Sequence, residues 1–282
     1  MNGQSLNSAM IDDKAAKVAQ HYADNFGSPG YDDPSQMYIS QRYDGYTQEN
    51  QTTWQTLYNQ QMEYLAGHAS NVYLSGAKAI NLIPDHIPYL EGPKSVNLFL
   101  KQLTGWQSCP VPGYLPAKAF FSCLSRREFP TTITIRPKDS IDYLPEPDVF
   151  HDIFGHVPLH ADPVFADFLQ TYGKAALATD NAMHTERLAR LFWFTVEFGL
   201  IQEDNALKLY GSGLISSPGE SKHALESSEV ERRPFNLDQV CDTSFEIDHY
   251  QPILYVLDSF EQLRDAMMTY ANRILEEAGS MA

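Results

Sequence analysis

The sequence predicts a mainly α fold: one α-rich domain carrying small, short-stranded β-sheets. Three observations lead there. Apolar residues recur at helical spacing through most of the chain, whereas strand signals are few and short. No Gly/Ser linker, low-complexity run or internal repeat divides the 282 residues. With 43% hydrophobic residues, among them 15 Phe and 16 Tyr, the chain can bury one sizeable core.

Amphipathic or wholly apolar periodicity predicts helices near 9–25, 47–66, 95–104, 116–124, 162–178, 185–203 and 260–277. The last opens with Ser259 three residues before Gln262, a capping-box spacing. Strands are predicted at Thr132–Arg136, which alternates well, and at Leu207–Tyr210 and Ile253–Val256. Apart from its one helix, the stretch 1–40 is poorly patterned, and Gly27-Ser-Pro-Gly30 followed by Asp32-Asp-Pro34 reads as loop. The expected organisation is an N-terminal segment, 1–40, packing on or covering a catalytic domain, 41–282.

Composition narrows the class of partner. A net charge of −16 argues against nucleic acid and anionic membrane. No apolar run reaches the roughly 18 residues of a membrane span. Met1–Met10 lacks a basic region followed by an apolar stretch, so no secretory signal is visible. Cys109, Cys123 and Cys241 are odd in number, widely spaced and free of any CxxC, which points to a reduced, cytoplasmic protein.

Chemistry concentrates in two places. One is Pro145-Glu-Pro-Asp-Val-Phe-His151-Asp-Ile-Phe-Gly-His156. The other, 41 positions beyond His156, is Glu197, the one ionisable residue in the apolar run Leu191–Ile201. A carboxylate buried in such a run is costly unless it protonates, pairs with a cation or binds a metal. The nearest cation in sequence, Arg190, lies seven residues upstream, so a distant salt bridge is the bland alternative. Two histidines and one carboxylate are also the ligand set of non-haem Fe(II) oxygenases, which leave coordination positions open. On an ideal α-helix, His151 and His156 would point about 140° apart. The helix is therefore expected to distort or to end between them, with Gly155 at its C-terminus and Pro158 as a stop. Asp148, one turn before His151, is expected to accept its second ring N–H.

These motifs resemble those of the pterin-dependent aromatic amino acid hydroxylases. Residues 145–159 resemble the family's iron-site signature, Trp193-Phe-Thr-Val-Glu-Phe-Gly-Leu200 its second, and Tyr210-Gly-Ser-Gly-Leu-Ile-Ser-Ser-Pro-Gly-Glu220 its third. The similarity runs from about Tyr46 to Ala271 with compatible spacing. It implies iron ligation by His151, His156 and Glu197. It places the arginine that grips the substrate carboxylate at Arg136, fifteen residues before the first ligand, a task suited to a planar guanidinium. Ser216 falls on the serine that helps hold the amino acid, and Phe120 on the ring that stacks on the pterin. The pterin loop falls on Gly113–Ala117, including Leu115, and the acidic residue after the first histidine is Asp152.

Two positions depart from the family pattern. Leu144 stands where animal relatives often carry Thr, and Phe192 where Tyr is common. Trp193 resembles the phenylalanine and tyrosine hydroxylases, and Ile247 occupies a place where tyrosine hydroxylases favour Asp. An apolar Ile247 would leave a substrate phenol without a partner. The resemblance thus implies a catalytic domain with Fe(II) and tetrahydrobiopterin or a related tetrahydropterin. It would convert L-phenylalanine and O2 to L-tyrosine, the first step of phenylalanine catabolism. Lacking room for a regulatory domain or tetramer helix, the chain is expected to be a bacterial-type monomer.

Other readings stay open on sequence alone. Tryptophan or tyrosine hydroxylation lies within the same family. His2Glu is also a catalytic zinc set, but here Asp152 would have to serve as base. A non-enzymatic amino-acid-binding protein would keep Arg136 and Ser216 alone. His160 is expected near the site without ligating, and His21, His68, His86, His184, His223 and His249 have no partner at ligand spacing. Met267-Met268 reads as packing, and Tyr210-Gly-Ser-Gly lacks the Lys of a phosphate loop.

Overall fold

The computed structural model describes residues 34–113, 115–138, 147–247 and 249–280. The helix expected at 9–25, most of the loop expected at 27–34, and Leu144, Pro145 and Glu146 lie outside the described residues.

The predicted helices appear where periodicity placed them, as α1 (Gln48–His68), α3 (Val96–Leu103), α4 (Ala117–Ser125), α5 (Pro163–Leu177) and α10 (Phe260–Ser280). Between and after them lie α2 (Asn71–Ala79), α6 (Ala182–Phe192), α7 (Ser212–Ser216), α8 (Pro218–Glu226) and α9 (Leu237–Asp242). Local chemistry fixes their starts. Thr47 and Asn50 exchange side-chain and backbone hydrogen bonds of 3.2 and 3.0 Å in a closed capping box on α1. At α10 the Ser259 hydroxyl accepts the Gln262 N–H at 3.2 Å, but the Gln262 side chain reaches the Asp258 N–H rather than that of Ser259. The core centres on α5, whose Phe165, Phe168, Leu169 and Tyr172 form one buried stripe. That helix packs against α4 and α10.

Two small sheets complete the domain. Strands β1 (Gln107–Val111) and β2 (Glu128–Thr132) pair in parallel, with Val111 opposite Thr132. The second sheet runs β4–β3–β6–β5, from β3 (Leu200–Glu203), β4 (Ala206–Leu209), β5 (Glu231–Pro234) and β6 (Ile253–Leu257). Its one hairpin, β3–β4, turns through Asp204 and Asn205 with φ of 51° and 61°, a primed turn whose twist suits paired strands.

Two sequence expectations are corrected. The helix expected at 185–203 ends as α at Phe192, continues as a π-turn over Trp193–Glu197, and gives way to β3. A short all-apolar run does not distinguish buried helix from buried strand by periodicity. The strand expected at 132–136 lies instead at 128–132, because β1 offers no partner beyond Val111. The alternating residues after Thr132 turn their backbone to other groups. The Ile133 carbonyl accepts from the Tyr46 hydroxyl at 2.6 Å, the Thr134 carbonyl from the Val149 N–H at 2.8 Å, and the Arg136 N–H donates to Asp148 at 2.9 Å.

Helix α2 braces the site from behind. A Cβ on Gly76 would lie 2.0 Å from the Pro158 carbonyl oxygen, so glycine alone permits this approach. Gly76→Ala is expected to cost about 1–3 kcal/mol through overpacking. Gly67→Ala, on α1 with nothing within 4 Å, is expected to stabilise by about 0.5–1 kcal/mol through helix propensity. Urea unfolding of the two variants should therefore give shifts of opposite sign.

Candidate metal centre

Residues Phe150–His156 form a π-turn, in which the Val157 N–H reaches the Asp152 carbonyl five residues back. Widening the turn brings residues i and i+5 to the same side, and His151 and His156 meet with their Nε2 atoms 3.2 Å apart. The distortion, rather than an end at Gly155, is what the structure shows. Gly155 is buried against Ser212, where a Cβ would sit 3.1 Å from the carbonyl oxygen. The chain then runs on as a 3-10 helix, Val157–Ala161, with Pro158 in its first turn, where a missing N–H is tolerated.

The second π-turn carries the third expected ligand, Glu197. The Phe198 N–H donates to the Trp193 carbonyl at 2.9 Å, five residues back, and Glu197 swings toward the histidines. Its Oε1 lies 3.3 Å from His156 Nε2 and its Oε2 3.8 Å from His151 Nε2. Donor atoms 3.2–3.8 Å apart suit ligands about 2.0–2.2 Å from one shared ion. Gly211 lets the next loop close over this turn, since a Cβ there would lie 2.4 Å from the Glu197 carbonyl oxygen. Among the described residues no Lys or Arg pairs with Glu197, which removes the salt-bridge alternative.

Hydrogen bonds aim the donors. The Ser216 hydroxyl donates to the Ser212 carbonyl at 2.8 Å, leaving its oxygen to accept from His151 Nδ1 at 2.8 Å. That arrangement protonates Nδ1 and directs the Nε2 lone pair at the centre. Asp148, expected in this part, serves Arg136 instead. Its carboxylate binds the guanidinium Nε and Nη2 at 2.8 Å each and accepts the His151 backbone N–H at 3.0 Å. The Ser212 hydroxyl donates to Glu197 Oε2 at 2.8 Å.

Two carboxylates border the histidines, and electrostatics separates them. Burial alone would raise Glu197, but His156, His151 and the Ser212 hydroxyl outweigh it and hold the carboxyl at about 2. Asp152 offers an atom within 4.8 Å of both histidine donors. Burial pushes it up to about 7, against the opposing pull of His156 and Thr132. Its Oδ2 is already occupied by the Thr132 N–H and hydroxyl, both at 2.7 Å. Glu197 is the firm anion of the pair, and the residues present fit a divalent ion held by His151, His156 and Glu197.

The other expected residues surround this centre at different distances. Arg136 is buried over the Phe150 ring, 5.6 Å from its centroid. Trp193 stacks on Phe245 at 4.4 Å and packs on Phe198 at 4.6 Å. Ile247 lies two residues past Phe245 and is 43% exposed, outside the packed wall. Phe120 meets Phe129 at 6.2 Å, and Phe129 packs on His156 at 4.8 Å, so one aromatic ring links Phe120 to a donor. Leu115 packs on Met37 and Ala119, whereas Gly113 is half-buried and Ala117 exposed. Departing Phe192 fills space between Phe120 and Tyr172. His160 is buried and stacked on Trp106, separated from His156 by Phe129.

Sequence reasoning missed Ser212, Thr132, Phe129, Phe245 and Gln251. Only Ser212 carried a signal, lying four residues before Ser216 at helical spacing.

Burial pushes His151 from 6.5 down to about 4, against the attraction of Glu197. The metal-free fold therefore binds this proton more weakly than the unfolded chain does, and loses stability as pH falls from 6.5 toward 4. The stability margin of metal-free wild type over His151→Gln should shrink by on the order of 1–2 kcal/mol between pH 7.5 and 5 in urea melts. An unchanged margin would contradict the assignment of a neutral imidazole at His151.

Known proteins share this architecture. A family model described as biopterin-dependent aromatic amino acid hydroxylase matches residues 40–279. Phenylalanine-4-hydroxylase of Ralstonia nicotianae is 41% identical over 236 residues, covering 84% of this chain and 74% of that protein. The crystal structure of Chromobacterium violaceum phenylalanine hydroxylase with iron(III) and oxidised 7,8-dihydrobiopterin overlays with a TM-score of 0.80 at 40% identity, over 87% of this chain and 89% of that one. The iron- and phenylalanine-bound structure of the same enzyme gives 0.77 at 38% identity, over 85% and 87% of the two chains. The chain belongs to the biopterin-dependent aromatic amino acid hydroxylases.

Proposed function

We propose that this protein is a phenylalanine 4-monooxygenase that uses Fe(II), a tetrahydropterin and O2 to convert L-phenylalanine to L-tyrosine. The observation that carries the reading is the convergence of His151, His156 and anionic Glu197 in two facing π-turns. Relatives named phenylalanine-4-hydroxylase, and related structures holding iron, dihydrobiopterin and phenylalanine, support the same reading. When bound, Fe(II) and the tetrahydropterin supply the oxygen activation and electrons that no side chain provides.

The chain's own residues hold and orient. His151 presents a neutral Nε2 because Ser216 occupies its other ring nitrogen. Ser216 therefore serves the substrate chiefly through His151, its proton being given to Ser212. Arg136 is fixed by Asp148 on the backbone that precedes the ligands and receives the amino acid's carboxylate. Trp193 offers a rigid ring face to the substrate, whereas Ile247, 43% exposed, closes no pocket against a phenol, so the choice of phenylalanine over tyrosine rests on the relatives named phenylalanine-4-hydroxylase. Phe120 would stack on a bound pterin, and Gly113, Leu115, Ala117 and Asp152 would contribute to holding it. No general base is needed.

Among the described residues no helix is long and apolar enough to cross a membrane. All three cysteines are buried and unpaired. We place the enzyme in the cytoplasm as a monomer opening phenylalanine catabolism.

Fe(II)-loaded protein given L-phenylalanine, tetrahydrobiopterin and O2 is expected to form tyrosine, measured by chromatography. Glu197→Ala should reduce it to background, and Arg136→Lys should raise KM for phenylalanine about 10–100-fold by losing the bidentate grip. A folded, metal-loaded wild type that forms no hydroxylated aromatic product would overturn the proposal.

A further inference from the structure

Gln251 is 3% exposed and makes three hydrogen bonds from one amide. Its Oε1 accepts the Trp193 indole N–H at 2.9 Å. Its Nε2 donates to the Glu246 carbonyl at 2.7 Å and to the His249 carbonyl at 2.9 Å. The partners dictate the amide's orientation, because an indole N–H only donates and carbonyls only accept. One side chain thus ties the first residue of the Glu197 π-turn to both flanks of the loop that carries Ile247. Phe245, on the same loop, stacks on Trp193 with ring planes 13° apart and completes the clamp.

We infer that Gln251 is a positioning residue for amino-acid specificity, holding Trp193 and the stretch that carries Phe245 and Glu246 in one fixed relation. The inference rests on the proposed reading of Trp193 as substrate wall. Without the amide, a half-buried indole N–H and two backbone carbonyls lose their partners. The wall then loosens while the metal donors and Phe120, held by other contacts, stay in place.

The test is Gln251→Leu in the Fe(II)-loaded full chain, beside Gln251→Glu and Trp193→Phe. The Leu variant is expected to raise KM for L-phenylalanine about 10-fold. It should also yield less tyrosine per tetrahydropterin consumed and narrow the preference for phenylalanine over tryptophan. KM for tetrahydrobiopterin and Co(II) affinity should not change. Gln251→Glu keeps the acceptor for Trp193 but not the donors to the loop, and should fall between wild type and Leu. In a Trp193→Phe background the effect of Gln251→Leu should shrink at least threefold. Wild-type KM, coupling and preference in a folded Gln251→Leu protein would overturn the inference, as would equal losses in pterin KM and Co(II) affinity. Should Gln251→Leu fail to fold, Gln251→Glu decides, and wild-type selectivity there would overturn the inference equally. If wild type itself hydroxylates no aromatic amino acid, the proposed function falls first and this inference with it.

Discussion

Two residues five apart cannot share a ligand on an α-helix, and this geometric fact governs the rest of the molecule. His151 and His156 meet because Phe150–His156 takes an extra residue into its turn. A π-turn loosens regular hydrogen bonding, so the surrounding fold has to hold it. Phe150, Ile153 and Phe154 are buried, and Phe154 stacks on Phe150 at 4.6 Å. The Tyr73 hydroxyl from α2 donates to the Phe154 carbonyl at 2.8 Å, giving that group a partner. Gly76, one turn further along α2, lets the helix lie against the 3-10 segment that follows. The helix behind the site is thus part of the metal geometry.

The second π-turn answers the first, and short polar groups join them. Ser212 and Ser216, four residues apart on α7, reach Glu197 and His151 respectively. One five-residue helix therefore aims a ligand from each turn. Asp148 does comparable work on the other side, binding the Arg136 guanidinium through both oxygens while accepting the His151 N–H. Its carboxyl is held below the ordinary value because Arg136 outweighs the cost of burial. Arg136, the proposed substrate grip, and His151, a candidate metal ligand, are thus coupled through that one carboxylate.

The convergence of the three candidate donors was legible because burying an ionisable group is expensive. Glu197 stood alone in an apolar run, and a histidine pair beside an acidic turn completed the set. Long helices such as α1 and α5 were legible because many periods of one pattern accumulate. Between the histidines the sequence left two alternatives, distortion or a helix end, since seven residues offer too few repeats to tell a widened turn from a stop, and the structure shows the distortion. The expected stop at Gly155 failed for that reason: the glycine answers a close approach by Ser212. Strand β5, Glu-Arg-Arg-Pro, has no β pattern because it lies at a sheet edge, where charge and proline are tolerated. Gln251 gave no signal, as its chief partner is 58 residues away in sequence. Asp148 was placed beside the correct histidine but on the wrong atom, since sequence spacing does not reveal competition from Arg136.

The central claim is that Glu197, and not its neighbour Asp152, completes the metal site with His151 and His156. Anaerobic titration with Co(II), followed by visible absorption, tests it on wild type, Glu197→Gln and Asp152→Asn. The account predicts one ion per wild-type chain, near-wild-type binding by Asp152→Asn, and weakening by more than about 100-fold in Glu197→Gln. Loss of the ion in Asp152→Asn with retention in Glu197→Gln would contradict it.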